Sequence, residues 1–233
     1  MKRVIRETSR SSGQSGLTLV ELLVAMAIGL ILLTGIFQVF LGSNSIYRTQ
    51  DSLSRLQENG RFAIELLTQK VHLAGYPRIS VTGNAYTGTA INGTNGAGTA
   101  SDTLTIDFLN PAGAGLSPPY TFAVDAVNSE LDMTDTTGTL PLIDGIESMQ
   151  ILYGEDTGTD SQVDVYRTAA AVADWDRVVA VRIGLLLHTL EEVPKGDLDT
   201  GIYNVNGTVV DPVDDRRLRR VFTTTISLRN RSQ

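Results

Sequence analysis

The sequence predicts an α+β fold, with one long N-terminal α-helix followed by a head built on an antiparallel β-sheet. An apolar run near the N-terminus continues into a polar stretch whose apolar residues recur at helical spacing, and this pattern ends at Gly75 and Pro77. Beyond residue 100, several stretches instead alternate apolar and polar residues, as strands with one buried face do. The change from helical to alternating periodicity is what predicts the two-part fold.

The apolar run extends from Leu17 to Leu41, and Glu21 is its only charged residue. As a helix it measures about 37 Å, enough to cross a hydrocarbon core of about 30 Å with some tilt. A lone carboxylate in such a segment costs roughly 2.5–3.5 kcal/mol, so Glu21 is expected to have a partner or a function. We therefore interpret residues 17–41 as a transmembrane segment.

Residues 1–16 form a short leader that carries four basic residues against one acid and has no apolar core. A secretory signal is cleaved after its apolar region, whereas this leader lies before the apolar run. The run is therefore expected to stay on the mature chain as an anchor. Because basic flanks stay cytoplasmic, everything after residue 41 is expected on the far side of the membrane.

Residues 42–76 are predicted to be the amphipathic half of the same helix, because their apolar residues recur at helical spacing. These residues are Ile46, Leu53, Leu56, Ala63, Leu67, Val71 and Ala74. Gly75 is a natural C-cap, and a proline cannot continue the helical hydrogen bonds. The helix is therefore expected to run from about residue 18 to about residue 74.

The head is predicted over residues 77–233. Residues 80–101 are rich in Gly, Thr and Asn, which favours a long surface loop. Five later stretches alternate and are interpreted as strands of an antiparallel sheet packed on the striped half of the helix. Their positions are Leu104, Ile106 and Phe108; Met149, Ile151 and Tyr153; Val163 and Val165; Val179, Val181, Ile183, Leu185 and Leu187; and Phe222, Thr224, Ile226 and Leu228.

Composition and charge exclude several functions. The net charge is −7, and no basic stripe is interleaved with aromatic residues, so nucleic acid is not an expected partner. Cysteine is absent, which excludes disulfides, thiol catalysis and thiolate metal sites. The densest basic cluster follows a run of acids and is interpreted as the solvated start of the last strand. It comprises Arg216, Arg217, Arg219 and Arg220.

No catalytic constellation is found. The two histidines, His72 and His188, are far apart in sequence, and neither lies near a nucleophile or zinc motif. Trp175 is interpreted as a loop aromatic seated on the sheet. We therefore expect a protein that is not an enzyme.

Oxygen-bearing residues alternate between Glu155 and Asp164, as they do in calcium loops. Asp156, Asp160 and Asp164 are the weak candidate ligands. The pattern is incomplete, because a glycine stands where the second acid belongs and no glutamate closes the loop. The preferred interpretation is a solvated hairpin turn without a cofactor, with calcium as the alternative.

Residues Gly16 to Glu21 read GLTLVE, which resembles the class III leader of type IV pilins and pseudopilins. The resemblance implies that a prepilin peptidase cleaves between Gly16 and Leu17 and that the new amine of Leu17 is N-methylated. It also implies that Glu21 pairs with the N-terminal ammonium of a neighbouring subunit in the fibre. Leu17 stands where the family usually has phenylalanine, and the lack of cysteine favours minor pilins and pseudopilins over major pilins.

Residues 47–76, 140–156 and the terminal stretch RRVFTTTISLRN are similar to PilW-type minor pilins. The resemblance implies a type IV pilin-like fold and a subunit that helps to initiate or tip the type IV pilus, with roles in twitching motility and adhesion. The expected partners are the prepilin peptidase, other minor pilins, the major pilin and the inner-membrane assembly machinery. The expected location is the inner membrane, in a single pass with a periplasmic head, and then the extracellular tip of the pilus.

Two alternatives stay open. A J-type pseudopilin of a type II secretion system shares the leader, the helix and a large head. A membrane-anchored periplasmic binding domain or enzyme that never polymerises shares only the anchor. The GLTLVE motif argues against the second alternative, whereas residues 47–76 and the last strand favour a pilus over a secretion system.

Overall fold

The computed structural model describes most of the 233-residue chain: residues 16, 18–76, 88–108, 119–158, 160–193 and 196–230. These residues form one long α-helix, eleven β-strands and two short 3-10 helices. This confirms the predicted α+β class. By its internal contacts the chain divides into an N-terminal unit, Met1–Ile46, and a C-terminal unit, Tyr47–Gln233. The predicted divisions at residues 16, 41 and 76 stay predictions.

The helix α1 spans Leu19–Val71. Thr18 caps its start, because the Thr18 Oγ1 atom accepts a hydrogen bond of 3.3 Å from the Glu21 amide. A turn with Gly75 at a φ of 71° follows its last residue. Near this end the side-chain amide of Asn230 donates to the carbonyl oxygens of His72 and Ala74, at 3.2 and 2.9 Å. These bonds satisfy carbonyl groups that a helix terminus leaves without partners.

The two units use α1 differently. In the N-terminal unit the large apolar side chains between Leu19 and Leu41 are exposed. In the C-terminal unit one stripe of the helix is buried, formed by Leu56, Gly60, Ala63, Leu67 and Val71. The predicted stripe was wrong at its start, because Ile46 and Leu53 are exposed and burial begins only at Leu56.

The strands of the C-terminal unit form three antiparallel sheets. The five-stranded sheet has the order β1-β2-β3-β4-β5 and contains Ile91–Thr94, Thr103–Ile106, Tyr120–Asp125, Glu130–Asp135 and Gly138–Asp144. The four-stranded sheet has the order β11-β8-β6-β7 and contains Arg219–Ser227, Val178–His188, Ile146–Glu155 and Val165–Arg167. A small hairpin pairs β9, Tyr203–Val205, with β10, Thr208–Val210.

The five predicted strands correspond to β2, β6, β7, β8 and β11, whereas the other six strands were not predicted. The prediction of a loop over residues 80–101 is wrong at β1, because Ile91 is buried and pairs with Ile106. Residues 80–87 of that prediction lie outside the described part of the chain. Strand β1 was missed because it has only four residues and its composition is typical of a loop.

A buried carboxylate joins the two large sheets. The Asp102 Oδ2 atom accepts a bond of 2.7 Å from the Ile151 amide of β6, and its Oδ1 atom accepts one of 2.8 Å from the Gly96 amide. The Asp102 amide donates to the Met149 carbonyl at 2.8 Å. Burial raises the pKa of Asp102, although both amide bonds oppose that change. One core therefore extends from the helix stripe through both sheets.

Candidate assembly site

The predicted processing site lies just before α1. Gly16 is exposed, and a Cβ atom placed on it would meet no atom within 4 Å. Leu17 and most of the leader lie outside the described residues, so cleavage and N-methylation at Leu17 stay predictions. What is described is an open glycine backbone two residues before the Thr18 cap.

Glu21 lies in the first turn of α1, three residues after the cap. This spacing is that of a capping box, in which the Thr18 hydroxyl oxygen accepts a hydrogen bond from the Glu21 amide. Among the described residues the Glu21 carboxylate has no ion-pair partner, and exposed apolar side chains surround it along the helix. The residue thus has a local role through its backbone, while its carboxylate lies among exposed apolar side chains.

The candidate calcium residues do not converge. Asp164 turns towards the backbone, and its Oδ2 atom accepts bonds of 2.8 to 2.9 Å from the Thr157 amide and hydroxyl and from the Gly158 amide. These hydrogen bonds, with the Thr157 hydroxyl first, lower the pKa of Asp164. Asp160 accepts from the Gln162 amide at 3.0 Å. Each carboxylate therefore serves the turn rather than a shared centre.

Asp156 is the buried member of this loop. Its Oδ2 atom accepts from the Ser161 amide at 3.0 Å, and its Oδ1 atom is buried without a hydrogen-bond partner. The Arg177 guanidinium donates to the carbonyl oxygens of Thr157 and Gly158. A cation in this loop would need those same carbonyls, so Arg177 competes with it. Calcium here stays an untested alternative.

A second acidic group, which the sequence analysis missed, lies across the β3–β4 hairpin. Oxygen atoms of Asp125, Glu130 and Asp132 all lie within 4.8 Å of one another. Asp125 is held by the Val127 amide at 2.8 Å and by the Asn128 side chain at 2.8 Å. Partial burial, followed by repulsion from Asp132, raises the pKa of Glu130. Nothing in this group points to a ligand beyond the proximity of its acids.

The basic cluster before β11 is not wholly solvated, and the sequence interpretation was wrong for Arg219. Its side chain is only 2% exposed and makes ion pairs of 2.7 Å with Glu147, 2.7 Å with Asp215 and 3.3 Å with Asp199. Burial alone would raise the pKa of Asp215, but hydrogen bonds from the Arg219 side chain and the Arg217 amide, together with the charges of both arginines, outweigh that effect and lower it. Arg219 therefore ties the segment before β11 to β6.

The histidines and the tryptophan are structural. His188 is buried at the end of β8, where its Nδ1 atom lies 2.9 Å from the Thr189 carbonyl and 3.2 Å from the Arg217 guanidinium. His72 lies in the turn after α1, and burial, followed by the charge of Arg229, lowers its pKa. Trp175 packs edge-on against Tyr153 at 4.8 Å, which confirms its predicted seat on the sheet.

Comparison with known proteins agrees with this arrangement. A family model described as type IV pilus-assembly protein W matches residues 124–230, and one described as the prokaryotic N-terminal methylation motif matches residues 11–37. Among solved structures, the chain is similar to the type IV-like pilin TTHA1219 from Thermus thermophilus, with a TM-score of 0.50 and 16% identity. That similarity covers 77% of this chain and 99% of the other. No curated protein sequence matches the chain.

The long helix, the antiparallel sheets and the methylation motif are those of a type IV pilin-like fold, and with the family matches they point to a structural subunit rather than an enzyme. Within that class, the match over residues 124–230 supports a PilW-type minor pilin. The motif implies processing by a prepilin peptidase and association with pilus components. Together with the exposed apolar half of α1, it also indicates membrane anchoring.

Proposed function

We propose that this protein is a minor pilin that helps to initiate or tip the type IV pilus. It is inserted as a prepilin in the inner membrane, cleaved between Gly16 and Leu17, and then joined to other minor pilins. The observation that carries this proposal is Glu21, a single charge on an apolar helix segment whose large side chains are exposed in the described part of the chain.

Cleavage supplies a positively charged partner for the Glu21 carboxylate. A new ammonium group on Leu17 of one subunit and the Glu21 carboxylate of the next are each costly in hydrocarbon, and pairing them cancels both charges. Thr18 supports this role because it already satisfies the Glu21 amide, which leaves the carboxylate available to another subunit. Methylation of the Leu17 amine keeps its charge.

The direction of insertion follows from the leader. Its four basic residues favour the cytoplasmic side, so the head lies in the periplasm before assembly and outside the cell afterwards. The partners in this sequence of events are the prepilin peptidase, the inner-membrane assembly machinery, the other minor pilins and the major pilin beneath them.

Head size supports a position at the tip. The C-terminal unit contains three sheets and several loops, a large volume for a subunit repeated along a thin shaft where every head must fit against its neighbours. A few copies at the tip escape that constraint, while their α1 helices still enter the bundle beneath. The proposal therefore includes a low copy number.

Deletion of the gene tests the proposal. Loss of surface pili and twitching motility is expected, with exoprotein secretion unchanged, and sheared wild-type fibres are expected to contain far less of this protein than of the major subunit. Normal pili with blocked export of folded exoproteins would favour the J-type pseudopilin instead. Normal pili together with normal exoprotein export in the deletion mutant would favour a membrane-anchored domain that does not polymerise.

A further inference from the structure

The edge strands of the two large sheets differ in how well they are protected from pairing with another chain. In the five-stranded sheet, β1 has four residues, and β5 contains Pro141 and pairs with β4 through a register shift. In the four-stranded sheet, β7 has only three residues. Short strands, prolines and irregular pairing are ways in which proteins protect an edge from pairing with another chain.

The remaining edge of the four-stranded sheet lacks these protections. Strand β11 has nine residues, contains no proline, and pairs with β8 without a register shift from Arg219 to Ser227. Within the described part of the chain, no strand pairs with its other side. A long, regular strand with one open side is a template for an additional strand.

The hydrogen bonds at both ends of β11 show which residues face the open side. The Thr189 amide donates to the Leu218 carbonyl, and the Leu228 amide donates to the Val179 carbonyl. In an antiparallel pair such bonded positions recur at every second residue, so the even-numbered residues of β11 bond to β8. The amides and carbonyls that point outward then belong to Arg219, Val221, Thr223, Thr225 and Ser227.

The side chains along this edge are polar and basic. Thr223, Thr225 and Ser227 are exposed, as is Arg220 on the opposite face of the strand. The Nε atom of Arg182 on β8 donates to the Thr225 hydroxyl at 3.3 Å, while its guanidinium stacks on the Tyr166 ring of β7, so Arg220 is the exposed cation of this edge. This basic edge belongs to a chain whose net charge is −7.

We propose that β11 is the docking edge for a strand from a different pilin subunit, which extends the four-stranded sheet across the subunit boundary. Only an extended polypeptide offers amides and carbonyls at the spacing that β11 presents. The basic edge favours a partner strand with acidic and hydroxyl side chains. A second copy of this chain is disfavoured as the occupant, because the proposed function places few copies of this subunit in the fibre. The inference rests on the proposed function, because it names the surface through which this subunit meets other minor pilins.

Proline substitution tests the main-chain character of this contact in the full-length protein in its own cells. Thr223→Pro removes an outward amide that β8 does not use, so the variant is expected to keep its membrane level. Its content in sheared fibres should fall about tenfold, the effect of one unmade hydrogen bond with a buried partner. Thr223→Ala keeps the amide and should incorporate normally, whereas Thr224→Pro breaks the pairing with β8 and should lower the membrane level itself. Incorporation of Thr223→Pro at the wild-type level overturns the proposal.

Hydrogen exchange tests the same open edge in the wild-type protein, so it applies even if the Thr223→Pro variant fails to fold. In the wild-type full chain in detergent, the amides of Val221, Thr223 and Thr225 should exchange quickly while those of Phe222 and Thr224 stay protected. Protection of all five in the isolated chain would mean that the edge is already covered, which overturns the proposal.

Cross-linking separates this inference from the proposed function. The chain has no cysteine, so Ser227→Cys gives a single attachment point for a photoreactive cross-linker in intact cells. An adduct with another subunit that carries a pilin leader supports docking at β11, and an adduct only with a second copy or with the same chain overturns it. Absence of the wild-type protein from fibres would instead contradict the proposed function, whatever the adduct shows.

Discussion

The two units of this protein meet the same physical problem, a charge among apolar groups, in opposite ways. In the C-terminal unit, the Arg219 guanidinium is buried and surrounded by carboxylates of Glu147, Asp199 and Asp215. In the N-terminal unit, Glu21 is the only charge between Leu17 and Leu41 and has no ion-pair partner among the described residues. The C-terminal unit therefore completes its interactions within the chain, whereas in the N-terminal unit the described residues leave the charge and the apolar side chains exposed.

The largest expected effect comes from removing the internal partner of the three carboxylates. Arg219→Met should reduce the free energy of unfolding of the C-terminal unit by about 3–5 kcal/mol, because it leaves buried negative charges facing one another. Urea unfolding of the full chain in detergent measures this, with the fluorescence of Trp175 as reporter, since it is the only tryptophan and packs on Tyr153. Arg220→Met changes an exposed arginine beside it and should have little effect. Equal losses in both variants would contradict the buried network.

A smaller effect on stability is expected at Gly60, because this glycine of α1 is closely packed whereas Gly35 is not. A Cβ atom at Gly60 would overlap the ring of Phe222 on β11, whereas one at Gly35 would meet open space. Gly60→Ala should therefore lower the free energy of unfolding by about 2 kcal/mol through overpacking. Gly35→Ala should leave the unfolding of the C-terminal unit unchanged. Adding Phe222→Leu to Gly60→Ala should recover part of the loss, and simple additivity of the two changes would count against their contact.

The smallest effect on the isolated chain is expected at Glu21, although its effect on assembly is large. Glu21→Gln should leave unfolding unchanged, because the Thr18 cap binds the backbone amide rather than the carboxylate. Its content in sheared fibres should fall more than about tenfold, since the ammonium of the neighbour loses its partner in hydrocarbon. Thr18→Ala removes the cap and keeps the charge, so it should weaken the first helical turn and still incorporate. Wild-type incorporation of the glutamine variant would refute the ion pair.

The parts of the fold that sequence could predict are those with a strong and uniform pattern. Strand β8 carries a large apolar residue at every second position from Val179 to Leu187, and α1 keeps its helical spacing over several turns, so both were predicted. Strands β4 and β5 were missed because their patterns are weak, with acids on one strand and Pro141 on the other. The three-residue strands β9 and β10 are too short to show any period.

The candidate site divides in the same way. Glu21 could be predicted because its neighbours along the chain are all apolar, which makes one carboxylate conspicuous. Arg219 could not, because its partner Glu147 is 72 residues away in sequence and nearby acids offered a sufficient local explanation. Gly60 looked like a simple weakness in a helix, because the ring of Phe222 that requires it comes from the last strand.

The bonds between Asn230 and the end of α1 join groups 158 residues apart, and this distance has a consequence for the order of events during export. The helix leaves the translocation channel first, and β11 with Asn230 leaves last. Until β11 follows, the apolar stripe from Leu56 to Val71 is only partly covered, because the Phe222 ring that packs against Gly60 lies on that strand. During that interval the apolar stripe of the helix is exposed, and contacts between such distant segments form slowly. A periplasmic chaperone, or an early encounter with another subunit, would shorten that interval of exposure.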